Sequence, residues 1–97
     1  MKQSEYLHYD ATALADLIRR GEVTSRELCE AAVERATSVN GSLNAICFPQ
    51  FSEALTQVFP EQGAFAGVPL LLKDLAQEQA GRPCTFGSRS FKNNIAP

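Results

Sequence analysis

This 97-residue sequence is poor in the groups from which common active sites are built. It holds one histidine, His8, and three cysteines, Cys29, Cys47 and Cys84, with no C-x-x-C pair among them. A lone histidine and scattered cysteines cannot assemble a zinc site or a redox pair. Nor does His8 offer any of the thiols a predictable base. The sequence contains no G-x-x-x-x-G-K-[ST] phosphate loop and no G-x-G-x-x-G dinucleotide fingerprint. It also lacks a G-x-S-x-G nucleophile elbow and an S-x-x-K dyad. No metal and no cofactor are therefore expected.

Charge of one sign is also lacking. The formal net charge is −2, which argues against a general nucleic-acid partner. One local asymmetry stands out: no acidic residue follows Glu78, while Arg82, Arg89 and Lys92 do. Such a tail is either a solvated surface or a place to meet an anion. No apolar run approaches the length needed to span a bilayer, and Met1–Tyr6 has no apolar signal core. With cysteines spaced as unpaired thiols, the expectation is a cytoplasmic protein with no membrane partner.

What is present belongs to a soluble globular chain, with 44% hydrophobic and 21% charged residues. Its length allows one small domain over residues 1–97. Asp10 reads as an N-cap, Leu14, Leu17 and Ile18 as a helical face, and Gly21 as a stop. Thr24-Ser25-Arg26-Glu27 matches a capping box. Behind it Leu28, Cys29, Ala32, Val33, Ala36 and Val39 share one face, ending at Asn40-Gly41. A helical pair is thus predicted over 11–40. Residues 43–74 read as strand, helix, strand: Leu43–Phe48, a short helix near Phe51–Val58, and Val68–Leu72. Residues 75–97 form a turn-rich loop in which Cys84 is open to solvent. This order implies an α/β fold. Two strands cannot flank a strand buried on both faces, so the sheet is expected to be incomplete.

The segment Gly67-Val68-Pro69-Leu70-Leu71-Leu72-Lys73-Asp74 carries the main chemical signal. A continuous apolar run bounded by turn residues reads as a strand buried on both faces. Open α/β sheets bind ligands beyond the carboxyl ends of their strands, which is where Lys73 falls. A lysine there either returns the chain to water, with its stem on apolar surface, or is desolvated and serves as a base or nucleophile. Spacing alone leaves both readings open. Asp74 reads as a turn residue, and Ser88 as a local hydrogen bonder in a Gly-Ser turn.

Four stretches in order resemble the amidase signature family. Ala13-Leu14 through Arg20-Gly21-Glu22-Val23-Thr24-Ser25 with Glu27-Leu28 resembles its opening helix pair. Val39-Asn40 through Leu43-Asn44-Ala45 resembles its entry into the first strand. Phe65–Leu75 resembles its "GxPxxxKD" segment, and Gly81, Pro83, Thr85 and Gly87-Ser88 resemble "GxPTTxGS", with Cys84 where a threonine is usual. The resemblance implies the amino-terminal helices and first strands of a mixed-sheet amidase fold. It further implies that Lys73 is the catalytic base of a Ser-cisSer-Lys triad acting on a small-molecule amide. Both serines belong to a glycine- and serine-rich signature, and nothing like Gly-Gly-Ser-Ser-Gly-Gly occurs here. The chain alone is therefore expected to be inactive, and the resemblance leaves room for a homodimer. The wording around Lys73 leans toward general and cyclic-amide amidases rather than the tRNA-dependent amidotransferases. Two other classes stand beside this reading: a non-catalytic interaction module, and a Schiff-base lysine enzyme.

Overall fold

A computed structural model describes residues 1–97. Its elements are four helices, α1 (Gln3–Tyr6), α2 (Ala11–Arg19), α3 (Ser25–Leu43) and α4 (Phe51–Thr56), followed by a 3-10 turn, Arg89–Phe91. Local chemistry sets their ends. The Ala13 N–H donates to Asp10 Oδ1 at 2.8 Å, capping α2 as the sequence implies. At the other end Glu22 N–H donates to Leu17 O and Gly21 N–H to Ile18 O, each at 3.0 Å, with Gly21 at φ 73°. That pair of bonds is a Schellman closure, which needs a left-handed residue at the position Gly21 holds. Glu27 N–H donates to Thr24 Oγ1 at 3.1 Å to open α3.

Helix α3 runs past the predicted stop at Asn40-Gly41 and ends at Leu43. Its true terminator is Asn44, left-handed at φ 50°. Asn40 builds the exit: its Oδ1 accepts from the Ala45 and Ile46 N–H groups at 3.0 and 2.9 Å. Gly41 is thus kept inside the helix, a placement that costs about 1 kcal/mol relative to alanine. The same bonds occupy two amides, those of Ala45 and Ile46, within the expected strand Leu43–Phe48, which does not form here. The expected strand Val68–Leu72 is likewise unpaired, and the sole β contact is an antiparallel bridge between Pro83 and Ile95.

The core sits where α2 crosses the start of α3. Leu14, Leu17 and Leu28 form it, Leu28 fully enclosed, with Met1, Tyr6, Ile18, Val23 and Val68 packed around them. Only eight residues of the chain are buried. The radius of gyration, 14.6 Å, exceeds the roughly 13 Å of a compact chain of about 100 residues. The expected double burial of the Val68–Leu72 run is absent: Leu70, Leu71 and Leu72 are 80%, 69% and 50% exposed. The physical reason is that no neighbouring strand or covering helix reaches them. An α/β sheet built around this run is a feature we propose only for a longer, amidase-length protein.

Three substitutions test this packing. Leu28→Ala is expected to lower unfolding free energy by about 2–5 kcal/mol in urea melts. Val58→Ala, at a 95% exposed site, is expected to stay within about 0.5 kcal/mol. Gly67→Ala should cost about 1–3 kcal/mol. Gly67 has φ +83°, and a Cβ there would run into the Ser25 side chain and lie 3.3 Å from Ile18 Cδ1.

Candidate functional site

The lysine-bearing segment is held at both ends and free between. At its start, Val68 enters the Leu14–Leu17–Leu28 core and its N–H donates to Phe65 O at 3.0 Å. Arg19 Nη1 donates to Ala64 O at 3.4 Å, drawing the preceding turn against α2. Gly67 lies so close to Ser25, the first residue of α3, that only a residue without a side chain fits. The three leucines then leave the core, and Lys73 follows them as an exposed residue. Burial, which a lysine base requires, is not supplied by this chain's own packing.

At the far end, Asp74 is clamped. Its Oδ1 accepts the Thr85 N–H at 2.6 Å, and its Oδ2 accepts the Thr85 hydroxyl. The carboxylate is half-buried, and the Thr85 hydroxyl and amide together hold its pKa below the usual carboxylate range. A hydrogen bond to the charged form favours that form, which explains the direction. Asp74 is thus an anchor, where the sequence showed only a turn residue. No short-range pattern signals a pairing across eleven positions; the hydroxyl at Thr85 gains its meaning only from the fold.

Thr85 is itself fixed by a small clip. Cys84 N–H donates to Asn94 O at 3.2 Å, Ala96 N–H to Arg82 O at 2.9 Å and Gly81 N–H to Ala96 O at 2.8 Å. Asn94 Nδ2 closes the pair by donating to Cys84 O at 2.9 Å. The carboxyl-terminal stretch therefore has more order than its turn-rich composition predicts. Cys84, expected to be open, is 2% exposed beneath this clip. Burial pushes its thiol pKa up, and the nearby Asp74 charge adds to the rise. Cys29, on the apolar face of α3, is buried, whereas Cys47, inside the expected strand Leu43–Phe48, is exposed where that strand does not form. Ser88 caps the 3-10 turn, accepting from the Ser90 N–H at 3.2 Å, the local role its turn context implies.

Of the predicted site residues, then, only Lys73 stands at the segment's end, with Asp74 and Thr85 fixing the backbone beside it. No three His, Cys, Asp or Glu side chains converge where a metal could bind. No helix is long and apolar enough to cross a membrane. The arrangement presents a solvated amine next to a tightly held carboxylate, on the rim of an open apolar groove of about 1040 Å³ that includes Leu70, Lys73 and Cys84 in its lining.

Comparison with known proteins gives this geometry a context. The chain is 40% identical over 88 residues to the 6-aminohexanoate-cyclic-dimer hydrolase of Paenarthrobacter ureafaciens, a match covering 91% of this chain and 18% of that protein. It is 35% identical to a glutamyl-tRNA(Gln) amidotransferase component of Renibacterium salmoninarum, over 97% of this chain and 20% of that protein. It is also 35% identical to a lipoamidase of Enterococcus faecalis, over 97% of this chain and 13% of that protein. The chain thus spans a fifth or less of these relatives' length. No protein-family model and no solved structure matches it.

Two measurements check the site. Because Asp74's pKa is depressed on folding, its contribution is present above the unfolded carboxylate range, about 3.9, and is lost as pH falls through the lower folded value. Its carboxyl carbon should titrate below about 3.9 by NMR, with Thr85 amide exchange accelerating across that same step. Thr85→Ala should move the midpoint up. Alkylation at pH 8 should modify Cys47 first, with Cys84 and Cys29 reacting slower by about tenfold or more.

Proposed function

We propose, on the premise that this chain belongs to the amidases it matches, that it supplies the lysine-bearing part of an amide carbon–nitrogen hydrolase. Homology to amidases over 91% of the chain is the observation that carries this reading. In it Lys73 is the base of a Ser-cisSer-Lys triad. Unprotonated Lys73 takes a proton from the relay serine, which takes one from the nucleophilic serine as that oxygen bonds to the amide carbonyl carbon. The proton returns to the nitrogen as the carbon–nitrogen bond breaks, leaving an acyl-enzyme and a free amine. Water then completes the reaction and releases the carboxylic acid. The substrate class proposed is a small-molecule amide, linear or cyclic, with no cofactor.

The chemistry states what else is needed. A base near neutral pH requires the ammonium form to be disfavoured, and Lys73 is exposed in this chain. The nucleophile, the relay serine and the oxyanion donors all lie outside this sequence. The chain alone is therefore proposed to be inactive. A cytoplasmic location fits its unpaired thiols.

Purified 97-residue chain should not turn over simple aryl or alkyl amides; turnover above a mock preparation would overturn the proposal. The complementary test is a chimera in which this chain replaces the 88 matched residues of the cyclic-dimer hydrolase. It should hydrolyse the cyclic dimer, and Lys73→Ala should reduce kcat by about 100-fold or more. Full activity in that variant would remove Lys73 from the mechanism.

A further inference from the structure

We propose that Asp74 and Thr85 are positioning residues for amide hydrolysis, acting through the backbone that carries Lys73 rather than on the substrate. The inference rests on the reading of Lys73 as the base, and adds two residues which that reading does not use.

A base takes a proton only from within about 2.6–3.2 Å, and a lysine amine hangs on a flexible four-carbon stem. Where the amine can reach is therefore set by the direction of its own backbone. Upstream, that direction is loosely held. None of the N–H groups of Leu70, Leu71, Leu72 and Lys73 donates a hydrogen bond, and the Pro69–Leu72 carbonyls accept none. The nearest core contact upstream, Val68, is roughly 17 Å away along an extended chain. Packing at that distance cannot hold an amine to within an ångström.

Downstream, three ties converge. Leu75 N–H donates to Lys73 O at 2.9 Å, turning the chain directly after the lysine. Thr85 then holds the Asp74 carboxylate with its N–H at 2.6 Å and with its hydroxyl. The Cys84 thiol lies 3.8 Å from Leu75 O, so Asp74 and Leu75 rest on the same two residues. Asn94 holds those residues from the other side, through both its backbone carbonyl and its side-chain amide.

The chemistry of the clamp also suits a base. No ion pair of this chain involves Asp74 or Lys73. A carboxylate paired with the amine would favour the ammonium form and oppose its use as a base. Here neutral donors occupy both carboxylate oxygens, so Asp74 orders the backbone without pairing with the amine. A role confined to stability makes the same bonds. The two roles part in how Thr85 couples to Lys73.

A double-mutant cycle in the chimera with the cyclic-dimer hydrolase measures that coupling. With Lys73 present, Thr85→Val should lower kcat about tenfold or more and leave KM within about twofold. Thr85→Ser, which keeps the hydroxyl, should recover most of that loss. In the Lys73→Ala background, Thr85→Val should cost less than about twofold, since no amine remains to be positioned. Loss by the same factor in both backgrounds, or undiminished kcat in Thr85→Val, overturns the proposal. Full activity of Lys73→Ala would instead reject the base itself, so the two failures are separate readings of one cycle. The free chain gives a second readout. Its Asp74 amide should show an NMR order parameter of about 0.85, dropping below about 0.6 in Thr85→Val while Leu28 is unchanged. An Asp74 amide equally ordered in both chains overturns the clamp, even where the variant chimera is insoluble.

Discussion

A stretch of backbone with apolar side chains on both faces has no side that water suits, and Leu70–Leu72 is such a stretch. Everything functional in this chain hangs on that constraint. The leucines cannot be buried by α2 and α3, because Val68 and Gly67 already fill the approach to that core. Beyond them, Asp74 ties the far end of the run to the carboxyl-terminal clip through Thr85. The segment is pinned at both ends and left open in the middle, with Lys73 at its exit.

The two pins differ in character. The first is packing: a fully enclosed Leu28, a glycine pressed on the first turn of α3, and a valine inserted among leucines. Such contacts are insensitive to pH and salt. The second is a charge-assisted pair of hydrogen bonds to a carboxylate, stronger than neutral bonds and sensitive to protonation. Between them they fix the direction of the lysine-bearing backbone before any sheet exists around it. A chain organised this way can join a larger domain without rebuilding its own ends.

Features set by neighbours in sequence were legible in it. Asp10, Thr24 and Gly21 cap helices because their bonds reach only a few residues, and Leu14, Leu17 and Leu28 bury because they fall on the apolar faces of their helices. Where a distant partner decides, the reading failed. Leu43–Phe48 has strand composition, yet the Asn40 side chain claims its Ala45 and Ile46 amides. Cys84 sits in a turn-rich stretch, yet a clip closed from Asn94 and Ala96 buries it. The role of Asp74 depends on Thr85, eleven residues away. The apolar run before Lys73 reads as a strand buried on both faces, yet here it is neither paired nor buried, because no neighbouring strand or helix covers it.

The central claim is that Lys73 is an exposed amine here and becomes an enclosed base only when an amidase-length fold closes over the leucine run. Acetylation rates at the three lysines, read by mass spectrometry, test it most directly. In the free chain Lys73 should react as fast as Lys2 and Lys92, since all three side chains are exposed. In the chimera with the cyclic-dimer hydrolase, Lys73 should fall behind the other two by about tenfold or more, because the closed fold keeps the reagent from the amine except when it opens. Equal labelling of all three lysines in a soluble, folded chimera would contradict the account.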